Sequence, residues 1–90
     1  MLKFRELYMN STGEWALRNV SINPQYIVSI KENPFHEALV KESNNEISNN
    51  FNQFCTIVTV DQEMVVVGEI NELRHHVKGY KKPGRTLLHG

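Results

Sequence analysis

The sequence contains one cysteine, Cys55, among its 90 residues. A single thiol cannot form a disulfide within the chain, and it has no second cysteine with which to build a CxxC metal or redox site. Because Cys55 lies in an apolar stretch, we expect it to be a small buried side chain of a strand and not a reactive thiol.

Long apolar runs are also missing. No stretch approaches the roughly 20 apolar residues that span a bilayer, and the amino terminus has no basic segment followed by a long apolar one. These absences predict a cytoplasmic protein that does not enter a membrane.

Neither sign of charge is in excess, since ten Lys and Arg balance ten Asp and Glu. The charges are unevenly distributed, however. Residues 1–71 hold five basic and nine acidic residues, whereas residues 72–90 hold five basic residues and one acid. An acidic body is thus predicted to end in a basic tail.

The length permits one domain, because a chain this short buries too little surface for a second core. Hydrophobic content of 40% and charged content of 22% are near the globular average. We expect a single β-rich domain over residues 1–79 and a flexible basic tail over residues 80–90.

The first third of the chain has the pattern of strands. Residues 2–9 and 15–22 predict a hairpin, because the segment 10–14 between them combines Asn, Ser and Gly, which favour turns. Asn23-Pro24 breaks the second strand, and the alternation in residues 25–31 predicts a third.

Residues 32–53 are polar and rich in asparagine, whose side chain competes with regular backbone pairing. They predict a long exposed loop. At its start, residues 34–39 fit either a short helix with Pro34 at the first position or an extension of the preceding strand.

Strand character returns at residues 54–60 and 64–67, separated by a polar turn, which predicts a second hairpin. The spacing of Ile70, Leu73 and Val77 then predicts an amphipathic helix that Gly79 terminates in a left-handed cap. The fold class is therefore α+β and mainly β: a small antiparallel curled sheet or partly open barrel of about five strands with a C-terminal helix.

Three segments, residues 20–30, 55–60 and 64–70, resemble the small FlbD-type proteins of flagellar and swarming-motility loci. That resemblance implies a short β-meander with an I-N-P-x-x-I corner, a hairpin and a closing helix entered through a Val-Val run. The insertion at residues 32–53 and the basic extension after Val77 depart from the family, and they look like those of small accessory proteins of bacteriophages.

Motifs of catalysis and metal binding are not found. The sequence has no Gly-x-Ser-x-Gly elbow, HExxH helix or Gly-rich phosphate loop, so we expect no enzyme and no cofactor. His75 and His76 are adjacent and cannot chelate one ion from a regular helix. Glu72 and His76 share a face, which is typical of a solvated helix surface.

One charged cluster is a candidate binding site. It comprises Arg74, Lys78, Tyr80, Lys81, Lys82 and Arg85. Flexible basic side chains with an interleaved tyrosine can neutralise phosphates and stack on an unpaired base. The same residues are also typical of a solubilising tail, or of one that docks on the acidic body of a neighbouring subunit.

Three aromatic residues are candidates for a contact platform, namely Tyr8, Trp15 and Tyr26. A domain this small also needs large side chains in its core, which is the position we expect for Trp15, whereas Tyr8 fits either role.

Together these features predict a small non-enzymatic protein-interaction or regulatory module. Because short strands leave unpaired edges, the protein is expected to self-associate as a homo-oligomer or to bind another protein. The alternative is a small nucleic-acid-binding protein that uses its basic C-terminal tail.

Overall fold

The structure is a computed structural model that describes residues 1–80. The predicted flexible basic tail lies, except for its first residue, outside the described residues. Its elements are β1 (Leu2–Met9), β2 (Trp15–Ile22), a 3-10 turn (Pro24–Tyr26), β3 (Ile27–Glu32), α1 (Pro34–Ser43), α2 (Asn45–Asn50), β4 (Phe54–Thr59), β5 (Glu63–Val67) and α3 (Ile70–Tyr80).

The five strands form one antiparallel sheet in the order β2-β1-β5-β4-β3, which leaves β2 and β3 at its two edges. The sheet is open, and α3 follows β5, the last strand along the chain. The predicted fold class, mainly β with about five antiparallel strands and a C-terminal helix, is therefore confirmed, and the sheet is not closed into a barrel.

Both faces of the sheet bury apolar side chains, because successive side chains of each strand point to opposite faces and so into two separate cores. The face under α3 holds the larger core, formed by Leu2, Phe4, Ile22, Ile27, Ile30, Cys55, Ile57, Met64, Val66, Ile70, Leu73 and Val77. The opposite face holds a smaller core under α1 and α2, formed by Leu7, Val40 and Phe54 with half-buried side chains of Trp15, Leu17, Ile47, Phe51, Val65 and Val67.

The expected loop at residues 32–53 is wrong, because most of the segment is helical. Its asparagines begin helices: the Asn33 side chain accepts a hydrogen bond from the His36 backbone N–H at 2.9 Å, and Asn44 accepts one from Ile47 at 2.9 Å. Asparagine competes with the backbone inside a helix but stabilises its first turn. Of the two alternatives for residues 34–39, the helix with Pro34 at its start is correct.

The third strand is shorter and less regular than its pattern predicts. Residues 24–26 form a 3-10 turn, in which the Asn23 side chain accepts a hydrogen bond from the Gln25 N–H at 3.0 Å. Pairing of β3 with β4 then shifts between Ile27 and Ser29, which is a bulge. The bulge breaks the expected alternation, so that Ile27 and Ile30 are buried whereas Val28 is exposed.

Gly68 joins β5 to α3 with a φ of +146°, a conformation that favours glycine. The turn lays Ile70, Leu73 and Val77 on the sheet as the apolar spacing predicts, and burial of each stabilises the fold by at most about 1.5–3 kcal/mol. Gly79 does not terminate α3, however. It lies within the helix, which continues to Tyr80. Within residues 1–80, no helix combines the length and apolar character that crossing a membrane requires.

Candidate interaction surfaces

The two edge strands are the places where the described fold offers unpaired backbone. In an antiparallel pair the residues of one strand alternate between those that bond to the neighbour and those whose N–H and C=O groups point away. One observed hydrogen bond is therefore enough to tell which residues of an edge strand face outward.

At the β3 edge, the Asn33 N–H donates to the carbonyl of Phe54 at 3.0 Å. Alternation then makes Ile30 and Glu32 the outward-facing residues. The position of Arg74 on α3 agrees with this assignment, because its Nη2 donates a hydrogen bond to the Ile30 carbonyl at 3.4 Å. Arg74 thus reaches around the edge and covers one of the outward acceptors.

A groove of about 430 Å³ runs between β3 and α3. We call it the β3 groove, and its lining consists of Ile27, Val28, Ser29, Ile30, Arg74, Val77 and Lys78. Its walls are largely apolar, and its charged side chains, Arg74 and Lys78, are both basic. A groove of this composition suits an apolar or amphipathic chain that carries negative charge.

Exposed apolar side chains continue the β3 groove at the amino-terminal end of β3. Val28 is 65% exposed, Tyr26 is 54% exposed and Val60 is 67% exposed. The Val60 N–H donates to the Tyr26 carbonyl at 3.0 Å, so these residues lie together at one corner of the sheet. Sequence reasoning missed Val28 and Val60 because each sits in an alternating strand pattern that predicts burial of one face.

Two residues of the predicted binding cluster, Arg74 and Lys78, lie in the β3 groove. Tyr80 is the last residue of α3. Lys81, Lys82 and Arg85 lie outside the described residues. The structure therefore places Arg74 and Lys78 beside a sheet edge, which the sequence did not predict.

The histidines of α3 are not arranged as a metal site. His75 and His76 are both exposed, and the His76 ring stands edge-on to Phe4 at a centroid distance of 6.2 Å. Across residues 1–80, no group of three or more His, Cys, Asp or Glu side chains is placed to hold an ion.

The candidate aromatic platform does not form. Trp15 is half-buried in the core under α1 and α2, in agreement with its predicted core role, and its ring meets His36 edge-on at 5.6 Å. Tyr8 pairs with Ala16, one residue out of phase with Trp15, and so lies on the opposite face. Tyr26 precedes β3 at the far edge of the sheet. The three rings cannot contact one partner surface together.

At the other edge, the Asn10 N–H donates to the Glu14 carbonyl at 2.8 Å, which sets the phase of the β1–β2 ladder. Alternation then makes Leu17, Asn19 and Ser21 the outward-facing residues of β2, along with Trp15. The Trp15 carbonyl accepts a hydrogen bond from Asn44 Nδ2 at 3.2 Å.

The charge on β2 is balanced within the sheet. Arg18 Nε donates to Glu6 Oε1 at 2.9 Å, and the guanidinium lies 4.3 Å from the ring centroid of Tyr8. The pair is partly exposed, so its contribution to stability is small. Its consequence is electrostatic: the β2 edge carries no uncompensated charge at Arg18.

Cys55 is a buried core residue, as predicted, with 1% of its surface exposed. Its Sγ donates to the Gly68 carbonyl at 3.4 Å. Burial, reinforced by the carboxylates of Glu32, Glu37 and Glu69, raises the pKa of the thiol from 9.0 to about 11. The thiol is protonated at neutral pH and is unsuited to nucleophilic chemistry.

Comparison with known proteins gives no relative. No protein-family profile, no curated protein sequence and no solved structure matches the chain. The resemblance to FlbD-type proteins therefore stays a prediction from three short segments.

Proposed function

We propose that this chain is a small non-enzymatic protein-interaction module that pairs with a second copy of itself along β2. The observation that carries the proposal is the open edge of that strand. β2 pairs with β1 over eight consecutive residues without a bulge, and Leu17, Asn19 and Ser21 turn their backbone groups away from β1. Such an edge is a template for pairing with another strand.

β2 is better suited than β3 to pair with its own copy. When two β2 strands pair antiparallel about a twofold axis, the outward backbone groups of Leu17, Asn19 and Ser21 bond to the partner strand. No described side chain forms a hydrogen bond with these groups. Arg18, which such pairing would bring near its counterpart, is already bound to Glu6. β3, in contrast, is bulged and has a cation, Arg74, on the carbonyl of Ile30 in the middle of the strand, whereas the carbonyl occupied on β2 is that of its first residue, Trp15, and is bound by the neutral amide of Asn44.

A proline at position 19 tests the proposal. The Asn19 N–H points away from β1, so Asn19→Pro removes an outward donor and keeps the β1–β2 ladder, a change that edge strands tolerate. Asn19→Thr is the matched control, because it keeps the N–H and favours a strand. Sedimentation velocity at high protein concentration should show dimers for the parent chain and for Asn19→Thr, and monomers for Asn19→Pro.

A parent chain that stays monomeric at high concentration would refute the proposal. A dimer that persists unchanged in Asn19→Pro would refute it equally, because the contact would then lie elsewhere. Thermal unfolding of both variants establishes that they fold.

The nucleic-acid alternative is supported by the five basic residues in segment 72–90. Among them, Arg74 and Lys78 lie beside the apolar walls of the β3 groove. Gel shifts with single-stranded RNA and DNA, comparing the full chain with a chain that ends at Tyr80, test this role. Salt-sensitive binding that is lost on truncation would favour nucleic acid.

A further inference from the structure

We infer that the β3 groove binds an extended, acidic segment of another protein, which adds to the sheet as a strand beside β3. This inference uses the opposite edge of the sheet from the proposed self-association, and it is independent of that proposal.

The backbone of β3 provides the pairing groups. Ile30 and Glu32 face outward, and Val28 is exposed at the bulge. A bound strand could bond to these groups on one side, while its alternate side chains rest against the apolar wall formed by Val28, Ile30 and Val77.

The charges of α3 determine the kind of segment. Arg74 and Lys78 are one helical turn apart, and both line the groove. A strand that bonds to the Ile30 carbonyl competes with the guanidinium of Arg74 for that oxygen, and a displaced guanidinium lies beside the new strand. A carboxylate on the bound segment can replace the lost hydrogen bond with a charge-assisted one. Arg74 thus disfavours neutral strands and favours acidic ones.

The same charges argue against a second copy of this chain. In an antiparallel pair of β3 strands related by a twofold axis through Ile30, each Arg74 would approach the other, since each is bonded to its own Ile30 carbonyl. Two uncompensated cations would then meet at the axis. The chain's own residues 81–90 are also unsuitable, because they contain Lys81, Lys82 and Arg85 and no acid.

Selection from a phage-displayed library of random short peptides tests the inference without a known partner. The target proteins are the parent chain, the charge-reversed Arg74→Glu/Lys78→Glu variant, and a control with the same charge change, Lys3→Glu/Lys41→Glu. Both control lysines are exposed and lie outside the β3 groove. All three targets are made in the Asn19→Pro background as well, so that loss of self-association cannot be mistaken for loss of peptide binding.

We expect the parent chain and the control to select peptides rich in Asp and Glu that alternate with β-branched residues. Their affinity for the charge-reversed variant should be weaker by at least about tenfold. Amide chemical shifts should change along Ile27–Glu32 and α3. Where charge reversal prevents folding, Arg74→Gln/Lys78→Gln replaces it, with the same expected loss.

Strand addition itself is tested with Glu32→Pro, which removes an outward N–H, against Glu32→Gln, which keeps it. Selected peptides should bind the glutamine variant and lose affinity for the proline variant. The inference is overturned if no acidic preference emerges, if the peptides bind the charge-reversed variant equally well, or if Glu32→Pro has no effect. Shifts at β3 that depend on protein concentration alone would assign the groove to a second copy, and stronger binding of an oligothymidine than of acidic peptides would assign it to nucleic acid.

Discussion

Replacement of Gly68 by alanine is expected to destabilise the protein strongly, because this residue directs α3 onto the sheet. Two costs contribute. The φ of +146° is strained for a residue with a side chain, which costs about 1–3 kcal/mol. A Cβ atom at this position would also lie 2.9 Å from both Cγ and Cδ2 of Leu73, and relief of that overlap costs about 1–3 kcal/mol.

The free energy of unfolding should therefore fall by about 2–6 kcal/mol. Urea denaturation followed by the fluorescence of Trp15, the one tryptophan of the chain, measures it. Gly79→Ala is the matched control. Gly79 lies within α3 with nothing within 4 Å of an added Cβ, so this substitution should stabilise the protein by up to about 1 kcal/mol.

A double-mutant cycle with Leu73→Ala separates the two costs of Gly68→Ala. Shortening Leu73 removes the atoms that the new Cβ would meet and leaves the backbone strain in place. The double variant should therefore be more stable than the sum of the single changes predicts, by about 1–3 kcal/mol. A Gly68→Ala variant that unfolds within about 0.5 kcal/mol of the parent would refute the reasoning, because neither strain nor overlap would then be present.

Two further predictions concern the N-terminal cap of α1 and the buried thiol of Cys55. Asn33→Ala removes the cap of α1 and the 2.8 Å hydrogen bond from Asn33 Nδ2 to Thr56 Oγ1, so it should lower the free energy of unfolding by about 2 kcal/mol. In the same urea titrations Asn52→Ala, at an exposed position, should change the free energy of unfolding by less than about 0.5 kcal/mol. Equal effects of the two substitutions would contradict the capping role of Asn33. Because the pKa of Cys55 is higher in the folded state, stability from this thiol is complete below pH 9 and is lost as pH rises from 9 toward 11, by at most about 3 kcal/mol. Unfolding free energies of the parent and of Cys55→Ala should converge over that interval, and a constant difference would show that the thiol is not held protonated by the fold.

The Asn-rich segment shows where a correct physical rule led to a wrong prediction. Asparagine side chains do compete with backbone hydrogen bonds, and the sequence offered many of them between residues 32 and 53. In the structure Asn33 and Asn44 cap the first turns of α1 and α2. Their side chains accept hydrogen bonds from N–H groups that a helix leaves unpaired, so they stabilise the helices that they were expected to prevent. The amide group of Asn44 also reaches the Trp15 carbonyl, a contact between segments 29 residues apart that local patterns cannot reveal.

Local patterns in the sequence were enough to predict β1, β2, β4, β5 and α3, because these depend on the spacing of apolar residues and on turn residues close together in the chain. It also indicated that Arg74 and Lys78 belong to a basic cluster. Tertiary structure alone decided which strands are edges, which backbone groups point outward and which side chains cover them. Strand order places β3 at an edge and the turn at Gly68 lays α3 beside it, so that Arg74 contacts a carbonyl 44 residues away in sequence. Such contacts arise from long-range pairing and packing, which no local periodicity encodes.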